Sequence, residues 1–248
     1  MNDYSQQPAF DFVENELPAW ASQIVVFDTE TTGLDLSTAR IVTAGLAELD
    51  SSGRQVGPAR EWLANPGIEI PESASNVHGV TTQMASQNGR QPEEVVSEIL
   101  EALRGYLSQG IPVVAYNAPY DFTILHNEAL RYGLQPLQNP WPILDPLVMD
   151  KYADQFRKGK RKLKVTAEFY GVELADAHNA TADAIAAGQV LQAIARKWAS
   201  KFPSTLEEIH AGQVAWSLSQ EESFAKYMRQ NVNADFVTNF GWPLKLSN

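Results

Sequence analysis

The sequence predicts an α/β protein built on one mixed five-stranded sheet that is flanked by helices. Three apolar, β-branched segments follow one another with short connections between residues 23 and 63, which is typical of an antiparallel meander. After residue 92 the apolar spacing becomes that of helices, and two further short strands stand between helical segments. Strands separated by helices favour parallel pairing, so three antiparallel and two parallel strands are expected.

The chain is expected to contain three segments. Residues 1–21 form an N-terminal arm, residues 22–199 form the main domain with the sheet, and residues 200–248 form a helical C-terminal extension. The strands are expected at 23–29, 40–49, 54–63, 112–116 and 141–144. The helices are expected at about 92–110, 119–132, 145–153, 163–170, 180–199 and 205–229.

The composition excludes several classes of protein. Of the 248 residues 44% are hydrophobic, which is enough for a core, and the absence of cysteine excludes disulfides, thiolate metal sites and cysteine nucleophiles. The sequence has no signal-peptide pattern and no apolar segment of about 18 residues, so a cytoplasmic protein without a membrane partner is expected. The net charge of −11 argues against a broad nucleic-acid-binding face.

Two acids stand at the end of the first predicted strand, in the segment Phe27-Asp28-Thr29-Glu30. Side chains two residues apart in a strand share a face, so Asp28 and Glu30 are expected to point together. Two carboxylates 4 Å apart repel each other by about 4 kcal/mol unless a cation compensates their charge. The pair therefore indicates a cation site, and two acids exposed to solvent at a strand end are the simpler alternative.

Two further acids follow at the starts of helices. Asp121 stands near the beginning of the helix after the fourth strand, where an acid also favours the helix dipole. Asp183 is expected in the first turns of a helix that Asn179 caps, with His178 on the preceding loop. This arrangement puts an imidazole beside an anchored carboxylate. Taken singly, helix capping for Asp121 and an exposed loop position for His178 are simpler interpretations.

The combination is more specific than its parts, because three motifs occur in a fixed order, each at a strand end or a helix start. They are Asp28-x-Glu30, Asn117-x-x-x-Asp121 and His178-x-x-x-x-Asp183. With these residues the sequence resembles the DEDDh family of 3′-to-5′ exonucleases, which includes the proofreading epsilon subunit of bacterial DNA polymerase III, ribonuclease T and oligoribonuclease. The resemblance covers about residues 22–199 and implies a ribonuclease H-like fold.

The resemblance implies a phosphodiesterase that uses two divalent cations, Mg²⁺ or Mn²⁺, which prefer hard carboxylate oxygens. As in the family, Asp28, Glu30 and Asp183 would hold one ion, and Asp121 would hold the second with Asp28 as a bridge. His178 would be the general base that deprotonates the attacking water. The expected products are nucleoside 5′-monophosphates and a shortened strand with a 3′-hydroxyl.

The resemblance also implies a pocket for the last nucleotide of the strand. Its expected lining residues are Thr32, Leu34, His78, Asn117 and Tyr120. Leu34 would wedge against the terminal base, and ordinary core packing is the alternative for Leu34 and Tyr120. The run Thr31-Thr32-Gly33-Leu34 is most similar to the polymerase-associated branch of the family, which favours DNA as the substrate.

A basic segment at 151–164 precedes the His178 loop. It holds seven lysines and arginines against Asp154 alone, a balance of +6, so the rest of the chain carries −17. The segment is either an electrostatic guide for the incoming strand or a solvated basic loop.

Several alternatives remain at this point. The same chemistry could trim RNA or oligoribonucleotides, because no motif reads a 2′-hydroxyl. A phosphatase with an aspartyl nucleophile would leave His178 and Asp183 unexplained, and a non-catalytic module is disfavoured because all five signature residues are present. The C-terminal extension could pack on the core or form a docking face for a polymerase or a second copy.

Overall fold

The structure is a computed structural model that describes residues 16–174 and 178–246. Its sheet has the order β3-β2-β1-β4-β5. The strands are β1 (Ile24–Thr31), β2 (Ile41–Leu49), β3 (Gln55–Leu63), β4 (Val113–Val114) and β5 (Ile143–Leu144). The first three strands pair antiparallel, and β4 joins β1 and β5 in parallel. The predicted mixed sheet of three antiparallel and two parallel strands is therefore confirmed.

The helices of the described residues include two that the sequence did not predict. The long ones are α3 (Pro92–Ser108), α4 (Pro119–Arg131), α7 (Ala180–Lys197) and α8 (Leu206–Asn231), and the short ones are α1 (Glu72–His78), α2 (Thr82–Asn88), α5 (Pro146–Ala153) and α6 (Leu163–Tyr170). The unpredicted α1 and α2 have seven residues each, and Ala85 alone among them is fully buried. Neither helix has an apolar stripe, so periodicity could not indicate them.

The sheet is covered on both faces, and β1 divides its side chains between two cores. Val25 and Phe27 pack on one side with residues of α3 and α4, while Ile24 and Val26 pack on the other with residues of α7. A strand buried on both faces is apolar at nearly every position rather than at alternate ones. This explains the continuous apolar run that leads to Asp28.

A stability test of this packing uses the glycine at position 188 in the middle of α7. A Cβ there would overlap Val26 Cγ1 and lie 2.6 Å from Leu49 Cδ1. We expect Gly188→Ala to destabilise the protein by about 1–3 kcal/mol through overpacking, which denaturant unfolding would measure. Gly105→Ala is the matched control, because Gly105 is an exposed residue of α3 with no heavy atom within 4 Å of the added Cβ. Equal effects of the two substitutions would contradict the packing of α7 on β1.

The C-terminal part of the chain is tied to the sheet by α8 and by the residues that follow it. Gln213 of α8 donates from Nε2 to the Ile143 carbonyl at 3.0 Å and accepts the Asp145 N–H at 2.6 Å. Trp216 stacks on Tyr152 with ring centroids 3.9 Å apart. The first half of α8 thus packs on the core, whereas Phe224, in its second half, is 53% exposed.

Part of the expected N-terminal arm falls within the described residues. Residues 1–15 lie outside them, whereas Ala19–Ala21 form a 3₁₀ turn in which Trp20 is buried edge-on against Phe202. Among the described residues, no helix is both long and apolar enough to cross a membrane.

Candidate active site

The candidate site lies where β1 runs past its parallel neighbour. β1 pairs with β4 only through Val25 and Val26, so its last residues extend beyond β4 while still pairing with β2. Asp28 and Glu30 both lie on this extension and are partly buried. The irregular register between Glu30 and Thr31 marks the point where β1 leaves the regular ladder.

Asp121 approaches this strand from the first turn of α4. It is 2% exposed, and its Oδ1 accepts two hydrogen bonds from Thr29, one from the backbone N–H at 2.9 Å and one from the hydroxyl at 2.6 Å. These bonds fix the start of α4 against the end of β1. The prediction that Asp121 stands near a helix start is confirmed.

The turn that leads into α4 is held by an acid that the sequence analysis did not single out. Asp145, fully buried at the end of β5, accepts the backbone N–H groups of Asn117 and Ala118 at 3.0 Å each. Asn117 has a positive φ of 66°, so the chain turns sharply there. Trp242 Nε1 also donates to Asp145, which connects the C-terminal segment to this turn. The available signal was a further acid directly after an apolar strand.

His178 and Asp183 reach the site from the start of α7. Asn179 caps this helix as predicted, with its side-chain oxygen accepting the Ala182 N–H at 3.1 Å. His178 is exposed, has a φ of 77°, and donates its backbone N–H to Asp183 Oδ2 at 3.2 Å. Asp183 Oδ1 is buried and has no hydrogen-bond partner within 16–174 and 178–246.

Close packing brings the start of α7 to the sheet. A Cβ at Gly45 of β2 would lie only 2.5 Å from the backbone nitrogen of Thr181. Any larger residue at position 45 would push the first turn of α7, and Asp183 with it, away from β1. The glycine therefore positions the site without contributing a side chain to it.

The structure brings the five signature side chains together. One potential ligand atom from each of Glu30, His178 and Asp183 lies within 4.8 Å of the others. The carboxyl of Asp28 is close enough to Asp121, Glu30 and Asp183 for all three to affect its ionisation. The catalytic and metal-binding roles of these residues remain predictions, and their juxtaposition supports them.

Burial and the charges of neighbouring carboxylates raise the pKa values of the acids in the site. Burial is the largest cause for each, followed for Glu30 by the charges of Asp183 and Asp121, and the pKa of Glu30 rises to about 8. The pKa of Asp121 rises to about 7, although its bonds from Thr29 oppose the shift. Burial and the three neighbouring carboxylates also raise the pKa of Asp28 well above its usual range. Without a cation, the site holds more negative charge than it can stabilise.

This donor set fits a hard divalent cation. The site offers carboxylate oxygens and one imidazole, has no thiolate, and includes the unpartnered buried oxygen of Asp183. Oxygen-rich sites of this kind suit Mg²⁺ or Mn²⁺. A bound cation would supply the missing partner and offset the repulsion between the carboxylates.

The raised pKa values predict a distinctive pH dependence of stability. Because Glu30 and Asp121 bind protons more tightly when folded, metal-free protein is expected to lose stability as the pH rises from about 4.5 to 8. We expect the melting temperature in EDTA to be at least about 5 °C lower at pH 8.5 than at pH 5.5. Mg²⁺ should raise it at pH 8.5 and have little effect at pH 5.5.

Scanning calorimetry or dye-monitored melting of two variants would show whether the site carboxylates cause this pH dependence. Glu30→Gln should flatten the pH dependence, whereas Glu101→Gln, at an exposed position of α3, should retain it. A metal-free protein that melts equally at both pH values would contradict the electrostatic account.

The predicted nucleotide-pocket residues are distributed around this cluster. Leu34 is 86% exposed, which excludes core packing for its side chain. Thr32 is buried, with its hydroxyl accepting the Arg40 N–H at 3.0 Å. Tyr120 donates its hydroxyl to the Gly33 carbonyl at 2.9 Å and shares a 2.5 Å hydrogen bond with the Thr31 hydroxyl. Tyr120 thereby holds the loop that presents Leu34.

His78 and Asn117 lie in different cavities. His78 and His178 line one of about 300 Å³, and the Nε2 of His78 is buried without a hydrogen-bond partner among the described residues. Asn117 lines a second cavity of about 210 Å³ together with Lys151 and Lys245. The structure therefore does not bring all five predicted pocket residues into one cavity.

In this structure the central strand of the sheet ends in two acids, and two helices contribute a third acid and a histidine–acid pair. This arrangement is that of a ribonuclease H-like nuclease fold. The chain matches the family model described as exonuclease, RNase_T, over residues 25–191, which is more than half of its length. It belongs to the RNase_T exonuclease family. The predicted membership in an exonuclease family and the predicted ribonuclease H-like fold are confirmed.

The relatives of the chain include proteins named for DNA polymerase III. A DNA polymerase III PolC-type protein from Caldanaerobacter subterraneus subsp. tengcongensis is 30% identical over 193 residues, which cover 75% of this chain and 13% of that protein. A DNA polymerase III subunit epsilon-like protein from Rhodobacter capsulatus is 27% identical over 201 residues, which cover 78% of this chain and 27% of that protein. The chain thus spans a small part of the length of these relatives.

Solved structures of exonuclease I share the fold. The E. coli enzyme in complex with a dT13 oligonucleotide aligns with a TM-score of 0.58 at 20% identity, over 71% of this chain and 42% of that one. A zinc-bound E. coli exonuclease I–single-stranded DNA complex aligns with a TM-score of 0.64 at 18% identity, over 83% of this chain and 45% of that one.

Proposed function

We propose that the chain is a 3′-to-5′ exonuclease that removes nucleotides from the 3′ end of single-stranded or frayed DNA. The observation that carries this proposal is the cluster of four carboxylates and one histidine at the end of β1. Glu30, His178 and Asp183 approach within 4.8 Å, and Asp28 and Asp121 adjoin them. Membership in an exonuclease family gives this cluster its reaction class.

The four carboxylates would hold two divalent cations, Mg²⁺ or Mn²⁺. In the proposed division, Asp28, Glu30 and Asp183 hold one ion, and Asp121 and Asp28 hold the other. The cations would stabilise negative charge on the attacking and leaving oxygens of the phosphodiester. Asp121 is suited to a fixed position because Thr29 holds it with two hydrogen bonds.

His178 would accept the proton of the attacking water. Its side chain is exposed to solvent at the site, while its backbone is fixed to Asp183. An imidazole titrates near neutral pH, which is where a general base is most effective. In-line attack would release a nucleoside 5′-monophosphate and leave the 3′-hydroxyl of the shortened strand.

The last nucleotide would be held beside Leu34, whose exposed side chain can lie against the terminal base. Tyr120 holds this loop through the hydrogen bonds of its hydroxyl with Thr31 and Gly33. Thr32, His78 and Asn117 are the other residues proposed to contact this nucleotide, with His78 and Asn117 reaching it from two different cavities.

DNA is favoured over RNA because the relatives are polymerase III proteins and the exonuclease I structures contain DNA. A direct test compares kcat/KM on DNA and RNA oligonucleotides of the same sequence and length in Mg²⁺. We expect the DNA oligonucleotide to be the better substrate. A strong preference for RNA would favour the alternative of an RNA-trimming exoribonuclease with the same chemistry.

A polymerase or a second copy of the chain is the proposed protein partner, and the C-terminal helices are the proposed contact. Phe224 and Tyr227 on α8 are both more than half exposed, which is consistent with such a role. Co-purification with replicative polymerase, compared with the oligomeric state of the isolated chain, would distinguish the two partners. The expected cytoplasmic location also stays a prediction.

A further inference from the structure

One segment outside the active site combines positive charge with an exposed aromatic ring. It is the loop of residues 154–162 between α5 and α6, which we name the basic loop. Phe156 within it is 89% exposed, more than any other large hydrophobic side chain among the described residues. A single exposed phenylalanine is common on a protein surface, so it is the combination of this ring with the basic residues of the same loop that indicates a ligand.

The two arginines of the basic loop are structural. Arg157 and Arg161 both form ion pairs with Asp150, whose side chain is fully buried on α5. Arg157 also lies over the ring of Phe169 at 4.3 Å, and Tyr170 donates to the other carboxylate oxygen of Asp150 at 2.8 Å. These buried contacts fix the base of the loop, and Phe156 directly precedes Arg157 in the chain.

The lysines of this region are different. Lys158, Lys160 and Lys162, and Lys164 at the start of α6, are all exposed. Within the described part of the chain, none of these four ammonium groups pairs with a carboxylate. The segment therefore presents uncompensated positive charge around Phe156, in a chain whose net charge is −11.

The basic loop is connected to the active site through one side chain. The hydroxyl of Tyr116 donates to the Arg161 carbonyl at 2.8 Å and makes a second 2.8 Å hydrogen bond with Thr166. Tyr116 directly precedes Asn117, which we place in the nucleotide pocket. One tyrosine side chain thus joins the base of the loop to the turn between β4 and α4, which carries Asn117.

We propose that the basic loop is a binding site for the single strand upstream of its 3′ end, with Phe156 stacking on an unpaired base and the lysines contacting phosphates. An aromatic face among positive charges is the arrangement by which proteins hold single-stranded nucleic acid without reading its sequence. The proposal rests on the proposed function, since it gives the remainder of the substrate a place on the protein. It assigns Phe156, Lys158, Lys160 and Lys162 a role that the catalytic cluster does not need.

The test measures binding of 5′-fluorescein-labelled dT20 by fluorescence anisotropy in metal-free buffer, where no hydrolysis occurs. We expect Phe156→Ala to weaken binding about tenfold. The triple variant Lys158→Ser, Lys160→Ser, Lys162→Ser should reduce the slope of log affinity against log salt by about 2. Val56→Ala and Arg54→Ser are the matched controls, because both residues are exposed near the β2–β3 turn, at the opposite end of β1 from the site.

Two further substrates, a blunt duplex and a trinucleotide, distinguish the contribution of base stacking by Phe156 from that of the lysine charges. On a blunt duplex the bases are already stacked, so Phe156→Ala should have little effect while the lysine variant still weakens binding. In Mg²⁺, both variants should raise KM for dT20 and leave kcat nearly unchanged, with a smaller effect on a trinucleotide too short to reach the loop. Wild-type affinity and KM in both variants would overturn this proposal, whereas a wild-type protein that hydrolyses no nucleic acid would overturn the proposed function instead.

Discussion

Asp28→Asn is expected to lower the exonuclease rate by at least about 1000-fold in saturating Mg²⁺. Asparagine keeps the shape of the side chain but removes the charge that we assign to both cations. Burial, together with the charges of Asp121, Glu30 and Asp183, opposes the ionisation of Asp28 and raises its pKa.

The thermal stability of the Asp28→Asn variant distinguishes a catalytic role of Asp28 from a structural one. Removing one of four crowded carboxylates relieves repulsion, so Asp28→Asn should melt at the same or a higher temperature than wild type in EDTA at pH 8. The stabilisation by Mg²⁺ should shrink at the same time. Glu101→Gln provides the control for loss of an exposed acid. Activity within tenfold of wild type in Asp28→Asn would contradict the two-cation assignment.

The second large effect is expected from His178→Ala, which should lower kcat by about 10²–10⁴-fold if His178 is the general base. The residual rate should rise with pH, because hydroxide becomes the only available base. Affinity for Mg²⁺, measured by calorimetric titration, should change little. His126→Asn is the control histidine, since it is a partly buried residue of α4 whose Nδ1 has no partner among the described residues.

The same experiment also tests a competing role for the His178 imidazole, which is direct binding of a cation. Its ring nitrogen lies within 4.8 Å of ligand atoms on Glu30 and Asp183, so His178 could bind a cation directly. In that case His178→Ala would weaken Mg²⁺ binding and part of the activity would return at high Mg²⁺. Such a rescue would refute the general-base assignment while leaving the exonuclease function intact.

The sequence predicted those parts of the fold that depend on local pattern. The apolar run into Asp28, the stripe of α3 and the Asn179 cap of α7 are all encoded within a few residues of where they act. The five signature residues were found because three motifs occur in a fixed order, each at a strand end or a helix start. Periodicity could not find α1 and α2, because neither helix has an apolar face of its own; Ala85 of α2 packs instead with Val42 and Ile70, which lie outside the helix.

The long-range contacts that position the site were not predictable from local pattern. Asp145 acts through Asn117 and Ala118, which precede it by 28 and 27 residues, and it is itself contacted by Trp242 from 97 residues away. Gly45 acts by making room for Thr181. Such roles depend on which elements are neighbours in space, so they emerge only once the sheet order is known.

Net charge was a poor guide to substrate for a physical reason. The −11 includes the four carboxylates of the site, whose charge bound cations would largely offset, and exposed lysines are concentrated in and beside the basic loop. An enzyme that holds only the end of a strand needs a local positive region rather than a positive face. The distribution of charge is therefore compatible with a nucleic-acid substrate although the total argues against one.

The most direct test of the proposed function follows the products from a single-stranded oligonucleotide labelled at one end or the other, with and without Mg²⁺. With a 5′ label, we predict a ladder that shortens by one nucleotide at a time. With a 3′ label, we predict release of labelled nucleoside 5′-monophosphate in the first turnover. Both reactions should require the cation and disappear in Asp28→Asn. Release of a 5′-terminal mononucleotide first, or of internal fragments, would contradict the assignment of a 3′-to-5′ exonuclease.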